Sequence, residues 1–121
     1  MFCKCVRRDR PWGWYETIEQ GDEYKVKRIF VNPNSRFSLQ YHNHRSEHWV
    51  VVGGSALALV NNYEEQIYPG KHFFIPLGSR HRITAGDNGV MFIEVQFGEC
   101  REDDIVRLED DYGRVDSQDT E

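Results

Sequence analysis

The stretch SLQYHNHRSEHWVVVGG, residues 38–54, decides the reading of this chain. It gathers Gln40, His42, His44, Glu47 and His48 into a short span, then becomes an apolar strand ending at Gly53-Gly54. In an extended chain, successive side chains point to opposite faces. Ser38, Gln40 and His42 therefore share one face of residues 37–42, and Phe37, Leu39 and Tyr41 share the other. Over residues 47–52 the same alternation groups Glu47, Trp49 and Val51 and turns His48 away from them. A second stretch, GKHFFIPLGSRH at residues 70–81, carries a tight Pro76-Leu77-Gly78-Ser79 loop and ends on His81. His72 stands beside Phe73 on an apolar strand and is read as structural or exposed.

Outward from these stretches the chain reads as short strands separated by turns. RPWGWY at residues 10–15 bends at Pro11 and Gly13, with Trp12, Trp14 and Tyr15 as apolar anchors closing one end of a barrel. Tyr24 to Val31 alternates Tyr24, Val26, Arg28 and Phe30 against Lys25, Lys27, Ile29 and Val31. Further strands are predicted at residues 55–60, 64–68, 71–75, 80–84 and 90–97, with turns at Gly53-Gly54 and residues 85–89. On the last long strand Phe92, Glu94 and Gln96 oppose Met91, Ile93, Val95 and Phe97. Residues 102–108 read as one helical turn or a short strand. The pattern predicts an all-β fold, a small antiparallel β-barrel or jelly roll. It forms a single domain over residues 9–114, with flexible ends at 1–8 and 115–121.

Charge and composition narrow the function. The net charge of −5 is uneven, because residues 99–121 hold ten of the twenty acidic residues and three arginines. An acidic chain disfavours nucleic acid as a partner. No apolar run approaches the roughly 18 residues of a membrane span, and no secretion signal is visible. Three cysteines, Cys3, Cys5 and Cys100, make an odd count that fits free thiols in a reducing cytoplasm.

The two quoted stretches resemble the paired motifs of the cupin superfamily, small β-barrels that hold one metal. The wording LQ-x-H-x-H-R-x-E-H-W is narrower, and resembles the C-terminal isomerase domain of type II mannose-6-phosphate isomerases. RPWG, IEVQFGE and EDDIVRLEDDYGR extend the likeness over residues 9–114. The resemblance implies a metal set of Gln40, His42, Glu47 and His81. A plain H-x-H reading instead combines His42, His44, His48 and His81, and strand alternation counts against it. Mixed nitrogen and oxygen donors suit one divalent metal, Zn²⁺ first, with Mn²⁺, Co²⁺, Ni²⁺ or Fe²⁺ also accommodated.

The family interconverts mannose 6-phosphate and fructose 6-phosphate by moving a proton between C1 and C2 through an enediol-like intermediate. That chemistry needs a base, an electrophile and cations for the phosphate. Glu94 is the candidate base. Arg107 resembles an active-site arginine of the wider isomerase group, and Arg45 is placed at the mouth. Lys27, Arg36, Arg80 and Arg82 are candidate phosphate cations. The tail from Glu99 is expected to fold back over the barrel so that Arg107 reaches the pocket. The competing expectation is a non-catalytic cupin that binds a sugar or metabolite. The apolar faces Phe37/Leu39/Tyr41 and Met91/Ile93/Val95/Phe97 predict a homodimer.

Overall fold

The structure, a computed structural model, describes residues 6–115. They form nine strands and no helix. The strands are β1 (Arg7–Arg10), β2 (Gly13–Gln20), β3 (Tyr24–Val31), β4 (Leu39–Tyr41), β5 (Arg45–Val60), β6 (Tyr63–Ile67), β7 (His72–Ile75), β8 (His81–Gly98) and β9 (Val106–Glu109). Every pairing among them is antiparallel, within one curled sheet. The all-β antiparallel expectation holds.

Two long strands carry the architecture. The first half of β5 pairs with the second half of β8, from Arg45↔Gly98 to Val51↔Phe92. The second half of β5 pairs with the first half of β8, from Ala56↔Ala85 to Val60↔His81. The sequence reading cut both strands at their glycine-rich centres. The structure keeps them continuous and bends them there, with register shifts at Val51/Gly53 and Gly54/Ala56. Gly54 and Gly89 adopt left-handed backbone, φ +72° and +75°, and a Cβ on Gly54 would lie 2.0 Å from the Gly89 carbonyl oxygen. Only glycine allows the two strands to pass this closely, so a turn signal becomes a bulge.

The remaining strands widen the wall. β3 lies beside β8, with β2 and then β1 outside it. β7 lies beside the first half of β5, and β6 beside the second. β4 joins β8 at Gln40↔His81 and β9 at Gln40↔Arg107. Arg7 and Arg8, expected in a loose end, pair with Glu16 and Tyr15 in β1. The segment read as a helical turn or a strand supplies β9. The rest of the ends expected to be flexible, residues 1–5 and 116–121, lies outside the described residues.

The inner face divides along the strands. Near the bend it is apolar, with Ile29, Val31, Val51, Val90 and Phe92 buried. Trp49 anchors the core: its ring centroid lies 5.0 Å from Phe73, 5.2 Å from Phe92 and 6.4 Å from Phe37. Trp12 packs edge-on against Phe37 at 5.7 Å. Phe37 is therefore covered by its own core, not left for a second copy as the sequence suggested. Toward the other end the same face carries Lys25, Lys27, Glu47, Glu94 and Gln96, all buried. Strand alternation sorts residues by face and is blind to whether the inward face is charged.

The tail folds back over the sheet through polar ties. Arg82 donates to the carbonyl oxygens of Phe37 and Glu109, and Arg36 grips Asp111 through two nitrogens at 2.7 and 2.8 Å. Asp110, whose side chain is fully buried, accepts the backbone N–H and guanidinium of Arg114. Burial pushes the Asp110 carboxyl up, but the Arg114 hydrogen bonds outweigh it and the net shift is downward. The Arg36 hydrogen bond holds Asp111 below its ordinary value. A carboxyl with a lowered folded pKa contributes its stability above its unfolded value of about 3.9 and loses it as pH falls through the folded value. Protection of β9 amides against hydrogen exchange should therefore drop below about pH 4 before that of β5 and β8. Simultaneous loss in all three strands would contradict this attachment.

Candidate metal centre

Three buried side chains converge where β4, β5 and β8 meet. Ligand-type atoms of His42, Glu47 and His81 lie within 4.8 Å of one another. His42 Nε2 is 3.4 Å from Glu47 Oε2, and His81 Nε2 is 3.8 Å from Glu47 Oε1. Each element delivers its residue for a local reason. His42 follows β4 directly, and its carbonyl accepts the N–H of Gly78 at 3.0 Å, tying the first quoted stretch to the loop of the second. Glu47 projects inward because it shares the parity of Trp49 and Val51 on β5. His81 opens β8 opposite Val60 and Gln40.

Both imidazoles are oriented by their second nitrogen. His42 Nδ1 lies 2.5 Å from the Asp104 carbonyl oxygen, and His81 Nδ1 lies 3.0 Å from that of Ser79. A carbonyl only accepts, so each Nδ1 carries the proton and each Nε2 lone pair lies on the side of the centre, where that of His42 accepts Arg45 Nη2 at 3.2 Å. Backbone anchoring of this kind fixes the tautomer of metal-binding histidines. His81 Nε2 is buried and makes no hydrogen bond. Glu47 Oε1 accepts the Trp49 indole N–H at 3.1 Å, and Oε2 accepts Arg45 Nε at 3.0 Å. Two imidazole lone pairs and one carboxylate fit the donor chemistry of a divalent cation, and these residues form a group able to hold one.

Gln40 shares this inner face at 2% exposure, and its Oε1 accepts the Ser38 hydroxyl at 2.6 Å. The four-histidine alternative does not assemble. His44 is exposed near Glu99, and His48 lies outside, its ring tilted against Phe74 at 4.7 Å and edge-on to Phe97 at 5.6 Å. His72 is exposed.

Other expected residues fall in unequal places. Arg45 is not at the mouth. It is 1% exposed, with Nη2 3.2 Å from His42 Nε2 and Nη1 donating to the Arg101 carbonyl oxygen. Its reach across two elements draws it inward, where it meets Glu47. Arg107 is buried and directly opposite Gln40, hence on the same inner face. Glu94 is 1% exposed and accepts the Gln96 amide. Of the phosphate candidates, Lys27 is wholly buried inside. Arg80 is exposed, while Arg36 and Arg82 hold the tail. Burial lowers the Arg82 pKa.

Sequence reading missed Asp104, whose backbone carbonyl accepts His42 Nδ1. Besides orienting His42, its carboxylate accepts the N–H groups of Asn43 and His44, both at 2.9 Å. Among clustered acids its only signal is adjacency to the DIVR segment, which the fold returns to β4. Lys25 was also missed, because a lysine alternating on a strand normally reads as the wet face.

Comparison with known proteins places this geometry in context. The family described as Mannose-6-phosphate isomerase C-terminal matches residues 4–110. Among curated relatives, mannose-1-phosphate guanylyltransferase ManC of Salmonella typhimurium is 45% identical over 108 residues, 88% of this chain and 22% of that protein. Alginate biosynthesis protein AlgA of Pseudomonas aeruginosa is 44% identical over 108 residues, 88% of this chain and 22% of that protein. The chain thus spans about a fifth of the length of these relatives. Among solved structures, an RmlC-like cupin from Shewanella frigidimarina superposes with a TM-score of 0.74 at 22% identity, covering 83% of this chain and 88% of that one. Bacillus subtilis oxalate decarboxylase gives 0.77 at 18% identity, covering 87% of this chain and 30% of that one. These structural likenesses establish the cupin fold alone. The match over residues 4–110 and the 45% identity to ManC establish the nearer kinship: the chain belongs to the mannose-6-phosphate isomerase C-terminal family.

Proposed function

We propose that this chain is a metal-dependent aldose–ketose isomerase interconverting mannose 6-phosphate and fructose 6-phosphate in the cytoplasm, with Zn²⁺ at Gln40, His42, Glu47 and His81. The observation that carries the reading is the convergence of His42, Glu47 and His81 with both Nδ1 atoms anchored on backbone carbonyls, in a chain of this family. Bound there, a divalent cation supplies Lewis-acid polarisation of the substrate carbonyl.

The remaining work falls to side chains of the inner face. Glu94, held by Gln96 beside Trp49 and Lys27 in the sheet register, takes the proton that moves between C1 and C2. Arg107, a permanent cation on the face of Gln40, stabilises the oxyanion of the enediol-like intermediate. Arg45 donates to Glu47 and keeps its carboxylate oriented.

The test is turnover of mannose 6-phosphate by zinc-loaded protein. Arg107→Ala should lower kcat about 10²–10³-fold, roughly 3–4 kcal/mol for one oxyanion donor, at unchanged zinc content. His42→Ala should lose zinc and activity together. Full activity in Arg107→Ala would remove that residue from the mechanism. Sugar-phosphate binding without turnover by the wild type would favour the binding-module reading.

The assembly belongs to the same proposal. Val50, Val52, Phe74 and Phe97 are each more than 40% exposed on the outer face of adjoining strands β5, β7 and β8, and a second copy covers them. Light scattering at micromolar concentration should give twice the chain mass, and a monomer would sink the dimer.

A further inference from the structure

Glu102 is a carboxylate from the tail inserted between two nearly buried lysines. Lys25 Nζ and Lys27 Nζ each lie 2.8 Å from it, with side chains 7% and 0% exposed. The Tyr15 hydroxyl donates to its Oε2 at 3.4 Å, and Arg10 Nη2 donates to that hydroxyl at 3.3 Å. Lys27 Nζ also sits 4.1 Å from the Tyr15 ring centroid. Lysines are almost never fully buried unless paired. Here the two converge on one carboxylate from the tail, and Lys27 also faces Glu94 across the β3–β8 register. Outside Glu102 a depression of about 260 Å³, lined by Arg8, Tyr15, Thr17 and Lys25 among others, leads to solvent.

The register links this cluster to the candidate metal centre. Lys25 on β3 pairs with Gln96 on β8, and Gln96 pairs with Glu47 on β5. All three side chains are buried on the same inner face. Two strand spacings separate the ends, about 9.5 Å. Along this row stand polar atoms with no hydrogen bond: Gln96 Oε1 in the middle, and His81 Nε2 beside Glu47 at the far end. The row therefore offers cations at one end, a hydroxyl acceptor in the middle and metal-type ligands at the other. A phosphorylated polyol with a carbonyl has matching groups in that order. A phosphate monoester carries about −1.5 to −2 charge and three acceptor oxygens, and so satisfies two ammonium groups better than a single carboxylate does.

We infer that Lys25 and Lys27 form a phosphate subsite, and that Glu102 is an internal stand-in which the phosphate of an incoming sugar phosphate displaces. The inference rests on the sugar-phosphate reading above and adds where the phosphate sits and what vacates the place. Displacement releases the Glu102 turn from β3, so phosphate binding and the position of the tail are coupled.

The test is calorimetric titration of the full-length protein, at matched metal content, with inorganic phosphate and separately with mannose. Glu102→Gln keeps the side-chain size and removes the competing charge, and it should bind phosphate about tenfold more tightly than wild type. Lys25→Met, at the rim, should bind it about tenfold more weakly. Neither change should alter mannose binding by more than about twofold. Circular dichroism confirms that both variants are folded, and Lys25→Gln replaces Lys25→Met if that variant fails to fold. Equal phosphate affinity in all three proteins, or weaker binding in Glu102→Gln, would overturn the subsite. Because no turnover is needed, the two readings separate. The predicted phosphate pattern in a protein without isomerase activity retains the subsite and removes the isomerase. Isomerase activity with a flat phosphate pattern does the reverse.

Discussion

The close passage of Gly54 and Gly89 is the constraint on which the site depends. Glu47 lies in the half of β5 before the bend, and His81 lies in the half of β8 that pairs with β5 after it. In a flat sheet those two residues would be far apart along the strands. The bend folds one half of the ladder toward the other, so that His81 Nε2 comes within 3.8 Å of Glu47 Oε1. A side chain at position 54 would collide with a backbone carbonyl, which cannot rotate away. The metal-type cluster is thus a product of backbone geometry at a place that contributes no ligand.

Inside this curve the structure manages an unusual load of charge. Lys25, Lys27, Arg45 and Arg107 are set among Glu47, Glu94, Glu102 and Asp104, so that four formal positive charges meet four negative ones. Burying ions is costly unless each is paired and hydrogen-bonded, and here the pairs are distributed across β3, β5, β8 and the tail. The balance explains why the acidic tail folds back and does not trail away: it carries two of the four carboxylates. With a divalent cation added and Glu102 displaced the sum becomes +3, most of which a phosphate monoester of about −2 offsets. The interior is therefore electrostatically suited to a metal and an anionic ligand together.

How much of this was legible beforehand follows from what each signal reports. Alternation along residues 37–42, 47–52 and 90–97 separated inward from outward positions, so the shared face of Gln40 and His42, and that of Phe92, Glu94 and Gln96, could be read from local sequence. The motif likeness supplied the pairing of His81 with the first stretch. The continuity of β5 and β8 was not legible, because glycine pairs signal a turn and a bulge alike. Arg45 and Lys25 were misplaced or missed for a different reason. Their burial is set by partners at Glu47 and Glu102, and the latter lies 77 residues away from Lys25. Asp104 belongs to the same class: its carbonyl orients His42 across 62 residues. Local pattern cannot register such long-range polar pairing.

The central claim is that His42 and His81, each turned by a backbone carbonyl, present Nε2 with Glu47 to one metal. X-ray absorption at the zinc edge of the zinc-loaded protein tests it most directly. The account predicts a first shell of nitrogen and oxygen at about 2.0–2.2 Å, with the outer-shell pattern of two imidazoles and no sulfur. A sulfur scatterer at about 2.3 Å, or a shell without imidazole, would place the metal elsewhere and contradict the account.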